Sequence, residues 1–155
     1  MSSDLDKLMK QGQLLPWLPD LGPRRRPQRR LLVTREFQRW AQKQASSAAP
    51  SRLVSAQVEL DEIAAQFVAG EKIVSFIHRI DPPKGQGVLR LNTASFRLAG
   101  WCGAPQTLVL AVGARAADTH GGSRRLSDIG KDVVRVRERL GLSWEKGEFY
   151  VLFQA

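Results

Sequence analysis

The sequence predicts an α+β fold: a mostly antiparallel sheet of four or five strands with two main helices, preceded by an extended basic N-terminal arm. Three observations carry that expectation. Short β-rich runs bounded by Gly and Pro clusters recur through the centre of the chain, two segments repeat apolar residues at helical spacing, and positive charge is crowded toward the N-terminus. The net charge of +9 divides as +7 over residues 1–52, 0 over 53–105 and +2 over 106–155. With 155 residues, 43% of them hydrophobic, the chain can bury one sizeable core. We therefore expect an arm over 1–30 and a single domain over 31–155.

Taking the elements in order, residues 3–10 form a short amphipathic segment with Leu5, Leu8 and Met9, too short to hold helical turns without a partner surface. Residues 14–22, LLPWLPDLG, contain two prolines, which excludes helix and central strand. That segment displays Leu14, Trp17, Leu18 and Leu21, apolar anchors that either pack back on the domain or fill a groove on a partner protein. Arg24, Arg25, Arg26, Arg29 and Arg30 follow, five arginines in seven consecutive positions, kept extended by Pro23 and Pro27. Thr34 is a good N-cap for a helix whose Phe37, Trp40, Ala41, Gln44 and Ala48 share one face, with Pro50 as its stop. Arg35, Arg39 and Lys43 fall four apart on another side of that helix and prolong the basic stripe.

Alternation over 53–60 suggests a strand, followed by a helix over 61–69 that Gly70 ends. A well-buried strand is expected over 73–80, and DPPKGQG over 81–87 reads as a hairpin loop with Lys84 at its tip. A strand is expected over 88–91; residues 92–101 read as its return strand, with a short helix capped by Asn92 or Thr93 as the alternative. Residues 107–112 give the clearest core strand. The glycine- and alanine-rich stretch 113–125 reads as a mobile excursion. Ser127 or Asp128 then caps a helix with Ile129, Val133, Val136 and Leu140 on one stripe and Gly141 as its stop. Alternation over 149–154 predicts a closing strand.

The chemistry-bearing residues are few. Cys102 is the one cysteine, so an intrachain disulfide and a cysteine metal cage are excluded, and a small core residue is expected there. His78 and His120 lack metal-ligand spacing to each other or to carboxylate pairs. Residues 107–140 follow the outline of a phosphate-binding turn, with Arg124 and Arg125 at the start of the last helix, but the Gly-rich nucleotide fingerprints are absent. Nothing calls for a cofactor or a metal. The longest apolar runs fall far short of the ~20 residues of a bilayer span, so no membrane contact is expected and a cytoplasmic location is.

A guanidinium cluster of this density calls for a polyanion. Arg outnumbers Lys by 17 to 7; a GC-rich genome would produce that ratio, but not the clustering. The leading reading is a non-enzymatic nucleic-acid-binding subunit of a larger nucleoprotein or protein assembly, contacting RNA or DNA phosphates through Arg24, Arg25, Arg26, Arg29, Arg30, Arg35, Arg39, Lys43, Arg124 and Arg125. A second reading is an adaptor that docks on a partner protein. A third is a small toxin-type ribonuclease, disfavoured because residues 53–155 carry a net charge of only +2.

Overall fold

The computed structural model describes residues 3–46, 55–72, 77–81, 83–119 and 125–153. In chain order its elements are helix α1 (Asp4–Lys10), strands β1 (Leu14–Pro16) and β2 (Arg30–Thr34), helices α2 (Arg35–Ser46) and α3 (Ala56–Val68), and strand β3 (Ile77–Arg79). Strands β4 (Val88–Asn92), β5 (Phe96–Ala104) and β6 (Thr107–Arg115) follow, then helices α4 (Ala116–Thr119), α5 (Leu126–Leu140) and α6 (Phe149–Leu152). The strands form one 6-stranded sheet in the order β1-β2-β6-β5-β4-β3. All neighbours are antiparallel except β2 and β6. The α+β class is as expected, but the sheet is larger and mixed. Strands β1 and β2 were not expected from the sequence, and the parallel junction arises because the chain leaves β2 through α2, α3 and the strands β3, β4 and β5 before β6 returns beside it.

The sheet is covered on both faces. Leu31, Val33, Leu89, Leu91, Leu98, Leu108 and Leu110 pack with Phe37 of α2 and Ile63 and Phe67 of α3. Leu14, Leu32, Val88, Ala99, Trp101 and Val109 pack with Leu5 of α1 and Ile129 and Val133 of α5 on the other face. The alternation of strand side chains sorts the apolar residues between the two layers.

Local chemistry explains the boundaries. Thr34 ends β2 and at once caps α2, its Oγ1 accepting the Phe37 N–H at 3.1 Å, as the sequence predicts. Gly141 closes α5 in the left-handed conformation, φ 70°. That helix begins at Leu126 behind Arg125, whose side chain makes no capping bond, so Ser127 and Asp128 lie inside its first turn and are not caps.

Three expectations are corrected. The strand over 53–60 is not formed where it is described: from Ala56 the chain is helical, with Ser55 Oγ accepting the Val58 N–H at 3.2 Å. A helix turns Ala56 and Leu60 to the side of Ile63, Ala64 and Phe67 and leaves Val58 56% exposed, whereas a strand would have put Val58 on the same face as Ala56 and Leu60. At the C-terminus Phe149–Leu152 is a helical turn, not a strand. The turn brings Leu152 and Phe153 together into the layer containing α3, where Phe153 meets Phe67 edge-on at 5.3 Å. The excursion over 113–125 is shorter than expected, because β6 runs on to Arg115 and α4 follows. Residues 47–54, 73–76 and 120–124, which hold parts of the expected 53–60 and 73–80 strands, Pro50, His120 and Arg124, lie outside the described residues.

Gly113 sets how closely α2 can lie on β6. A Cβ there would come within 2.2–2.4 Å of the Trp40 ring, which packs tilted on Phe37 and edge-on to Phe96. Gly113→Ala should therefore lower stability by about 1–3 kcal/mol through overpacking, read as a lower denaturant midpoint. An unchanged midpoint would mean that the ring yields without cost.

Candidate functional site

The arginine run does not form one continuous surface. Arg24 and Arg26 are exposed and have no ion pair among the described residues. Arg25 turns toward α3, its Nη1 lying 3.5 Å from Glu62 and 3.6 Å from Glu71, while its Nε donates to Leu21 O at 2.9 Å. Arg30 stands on the α1 side, 3.7 Å from Asp6. Arg35 donates from Nε to Gly12 O beyond α1. Arg39 and Lys43 are exposed on α2, and Arg125 is exposed at the start of α5. Arg124 is outside the described residues.

Arg29 must be removed from the set expected to contact phosphate. It is only 5% exposed. Its Nη1 donates to Phe67 O at 3.1 Å and Glu71 O at 3.0 Å, its Nη2 to Phe153 O at 3.0 Å, and its guanidinium lies over the Phe67 ring at 5.2 Å. Burial lowers its pKa from the ordinary arginine value. Arg29 therefore joins the end of α3 to the C-terminal turn from inside the core. No signal in the sequence distinguishes it from its four neighbours, because its acceptors lie 38 or more residues away.

Glu36, the one carboxylate within residues 21–58, is engaged by Arg139 of α5 at 2.7 Å. Partial burial alone would raise the Glu36 carboxyl. The bond to its own backbone N–H, the Arg139 guanidinium and the charge of Arg39 outweigh that effect and hold it below the ordinary carboxylate value.

The apolar anchors of residues 14–21 mostly pack inward. Leu14 is buried in β1, Trp17 faces Phe37 at a ring distance of 6.1 Å, and Leu21 packs against the same core layer. Leu18 is 83% exposed. Beside it Pro16, Trp17, Val33, Phe37, Ala41 and Leu60 line a cleft between β1, α2 and α3. The boundary expected at residue 30 thus cuts through structure: α1, β1 and Arg29 all contribute to the folded body.

A second group of basic side chains, missed in the sequence, lies at the opposite end of the sheet. His78 of β3 is directly opposite Arg90 of β4, and Arg97 of β5 is one residue pair further along, opposite Asn92. The inward positions Ile77, Leu89, Leu91 and Leu98 belong to the α2–α3 layer, so His78, Arg90 and Arg97 share the other face. Alternation through VLRLN and FRL was the available signal. Cys102 is buried, donates to Ala104 O at 3.1 Å, and burial pushes its thiol up to about 11. It is a structural thiol. Among the described residues no group of three or more His, Cys, Asp or Glu side chains could hold a metal ion, and no helix is long and apolar enough to cross a membrane.

Two outcomes test these placements. Arg29→Ala should cost about 2–3 kcal/mol of stability, since buried carbonyls lose charged donors, and a chemical denaturation curve superposing on wild type would refute the assignment. Cys102 should resist a thiol reagent at pH 8 in the folded protein, because a thiol titrating near 11 is almost wholly protonated there, and react on unfolding. Comparison of the chain with protein-family models, curated proteins and solved structures finds no match.

Proposed function

We propose that the chain is a non-enzymatic nucleic-acid-binding subunit of a larger nucleoprotein or protein assembly, contacting phosphates through the cations that residues 24–43 leave on its surface. The observation that carries this reading is the state of those cations. Arg24, Arg26, Arg39 and Lys43 are exposed without an ion pair among the described residues, and Arg139 pairs with Glu36 of α2. Arg30 keeps only a long, exposed pair with Asp6. Pairs of that kind contribute about 0–1 kcal/mol, so a phosphate can replace the carboxylate at little loss. Arg125 adds a cation at a helix N-terminus, where the dipole also favours an anion. An adaptor role is the second reading, favoured by Leu18, an exposed anchor beside an apolar cleft.

Binding of the full chain to single-stranded RNA, single-stranded DNA and duplex DNA, followed by fluorescence anisotropy over a salt series, tests the proposal. Log affinity should fall linearly with log salt, by about 0.7–0.9 per phosphate neutralised. The double variant Arg24→Ala, Arg26→Ala should flatten that slope by roughly 1.5 and weaken all sequences alike. Affinity that ignores salt, or a double variant with the wild-type slope, would overturn the proposal. Loss of a protein partner on Leu18→Ser with nucleic-acid binding absent throughout would favour the adaptor.

A further inference from the structure

We propose that the cleft between the β3–β4 loop and the loop that follows α5 takes an unpaired nucleobase of a single nucleic-acid strand, stacked on Trp144. The site deepens the nucleic-acid reading, on which it rests, by assigning a place to a base as well as to phosphates. Trp144, Leu89 and Leu152 give the cleft its apolar walls, the exposed Asp81, Glu145 and Lys146 stand at its rim, and its volume is about 610 Å³. Clefts of that size hold a ligand as large as a nucleotide. The cleft also adjoins the arginine run. Arg30 N–H donates to Gln106 O at 2.8 Å and Gln106 N–H donates to Leu152 O at 3.0 Å, so three residues in hydrogen-bonded succession separate it from that cation.

Trp144 is a fixed platform. The Arg137 guanidinium lies 3.8 Å from its ring centroid and is itself held by Gln86 O at 2.6 Å and Gln86 Oε1 at 3.0 Å. At the edge of the ring stands Gly87, with φ 65° and no side chain; a Cβ there would fall 2.5 Å from Trp144 Cδ1. Glu145 N–H donates to Cys102 O at 2.8 Å and ties the loop to β5. Arg79 secures the wall of the cleft, its Nη2 donating to Gly147 O at 3.4 Å and lying 3.7 Å from the Glu148 carboxylate. Arg79 is thereby engaged and is not a donor to the ligand. A ring already held on these sides loses little freedom when a base stacks on it.

The chemistry of the lining selects the ligand. A cation over Trp144 is disfavoured, because Arg137 already lies on the ring and the Lys146 ammonium stands 5.5 Å from its centroid. A purely apolar ligand would desolvate Asp81, Glu145 and Lys146, which make no ion pair among the described residues, and return nothing to them. A nucleobase answers each feature: its plane stacks on the indole, its N–H edge donates to a rim carboxylate, and the phosphate beside it meets Lys146. The carboxylates also set the orientation. They repel phosphate, so the base enters and the backbone stays at the rim. A base with an amino edge, such as guanine, suits these acceptors; uracil, whose one N–H lies between two carbonyls, suits them less. In a duplex that edge is taken by the complementary base, which restricts the site to single strands.

The test uses the full chain and short DNA strands of equal length: one abasic throughout, one abasic except for a central guanine, and one abasic except for a central uracil. Affinity is read by fluorescence anisotropy at one fixed salt, and the Trp144 indole N–H signal is followed by NMR. The three strands carry the same phosphates, so all should bind. The guanine strand should bind about tenfold or more tightly than the abasic one, as stacking of one base on an aromatic side chain provides, and the uracil strand should gain less. Trp144→Ala should bring the guanine strand down to the abasic affinity, and Trp144→Phe should keep part of the gain. Should Trp144→Ala disturb the fold, the wild-type chain decides: its Trp144 signal should shift and saturate with the guanine strand and stay in place with the abasic one. Equal affinity for the guanine and abasic strands, a Trp144 signal unmoved by the guanine strand, or uracil held as tightly as guanine would overturn the proposal and leave the phosphate contacts of residues 24–43 standing. A chain that binds none of the strands overturns the nucleic-acid reading and this site with it.

Discussion

Strand β6 imposes the constraint from which the rest of the architecture follows. Its sequence TLVLAVGAR is apolar at successive positions, so neither of its faces tolerates water. Leu108 and Leu110 require cover from α2 and α3, and Val109 and Ala111 require it from α5. The backbone needs ladders on both edges, which β2 and β5 supply. An irregularity then divides the strand. Ala99 pairs with Val112 and Gly100 with Leu110, leaving Ala111 as the extra residue of a bulge. Beyond it Val112 turns to the α5 layer and Gly113 lies beneath Trp40, so α2 takes the place beside β6 that β2 has vacated.

The arginines divide by the acceptors within reach, not by their position in the sequence. Arg29 and Arg137 sit in different core layers and use the same device: an aromatic face for the guanidinium plane and backbone carbonyls for its edges. Arg137 is 1% exposed, lies 3.8 Å from the Trp144 ring centroid, and donates to Gln86 O at 2.6 Å and Gln86 Oε1 at 3.0 Å. A lysine could not reproduce either site, since a compact ammonium neither stacks on a ring nor spans two acceptors in a plane. Burial of a guanidinium is costly, and it lowers the pKa of both groups, for Arg137 against the opposing charge of Glu138. Each holds a loop or turn against the body, which local propensity alone could not do.

Much of the fold was legible where one local signal was strong. The Thr34 cap, the glycine stop at 141, the apolar run in β6 and the stripe of α5 are all short-range patterns, and they appear where the sequence places them. What failed was decided at long range. Residues 56–60 alternate well enough for a strand, yet Leu60, Ile63 and Phe67 bury together only on a helix. Phe153 reads as one face of a strand until Phe67 is seen opposite it. The candidate site divides in the same way. Clustering along the chain drew attention to residues 24–30, although the fold scatters them over α1, α3, the core and solvent. His78, Arg90 and Arg97, distributed over 20 positions of sequence, come together through strand register alone.

The two cationic regions differ physically in a way that bears on what each can do. Charges on Arg24, Arg26 and Lys43 stand in water, where a Debye length of about 8 Å at physiological salt screens them and flexible side chains accept phosphates in many geometries. Such groups supply attraction and little selection. Arg90 and Arg97 are half-buried, and Arg97 is fixed by two carbonyls, so their field is less screened and their donors point in set directions.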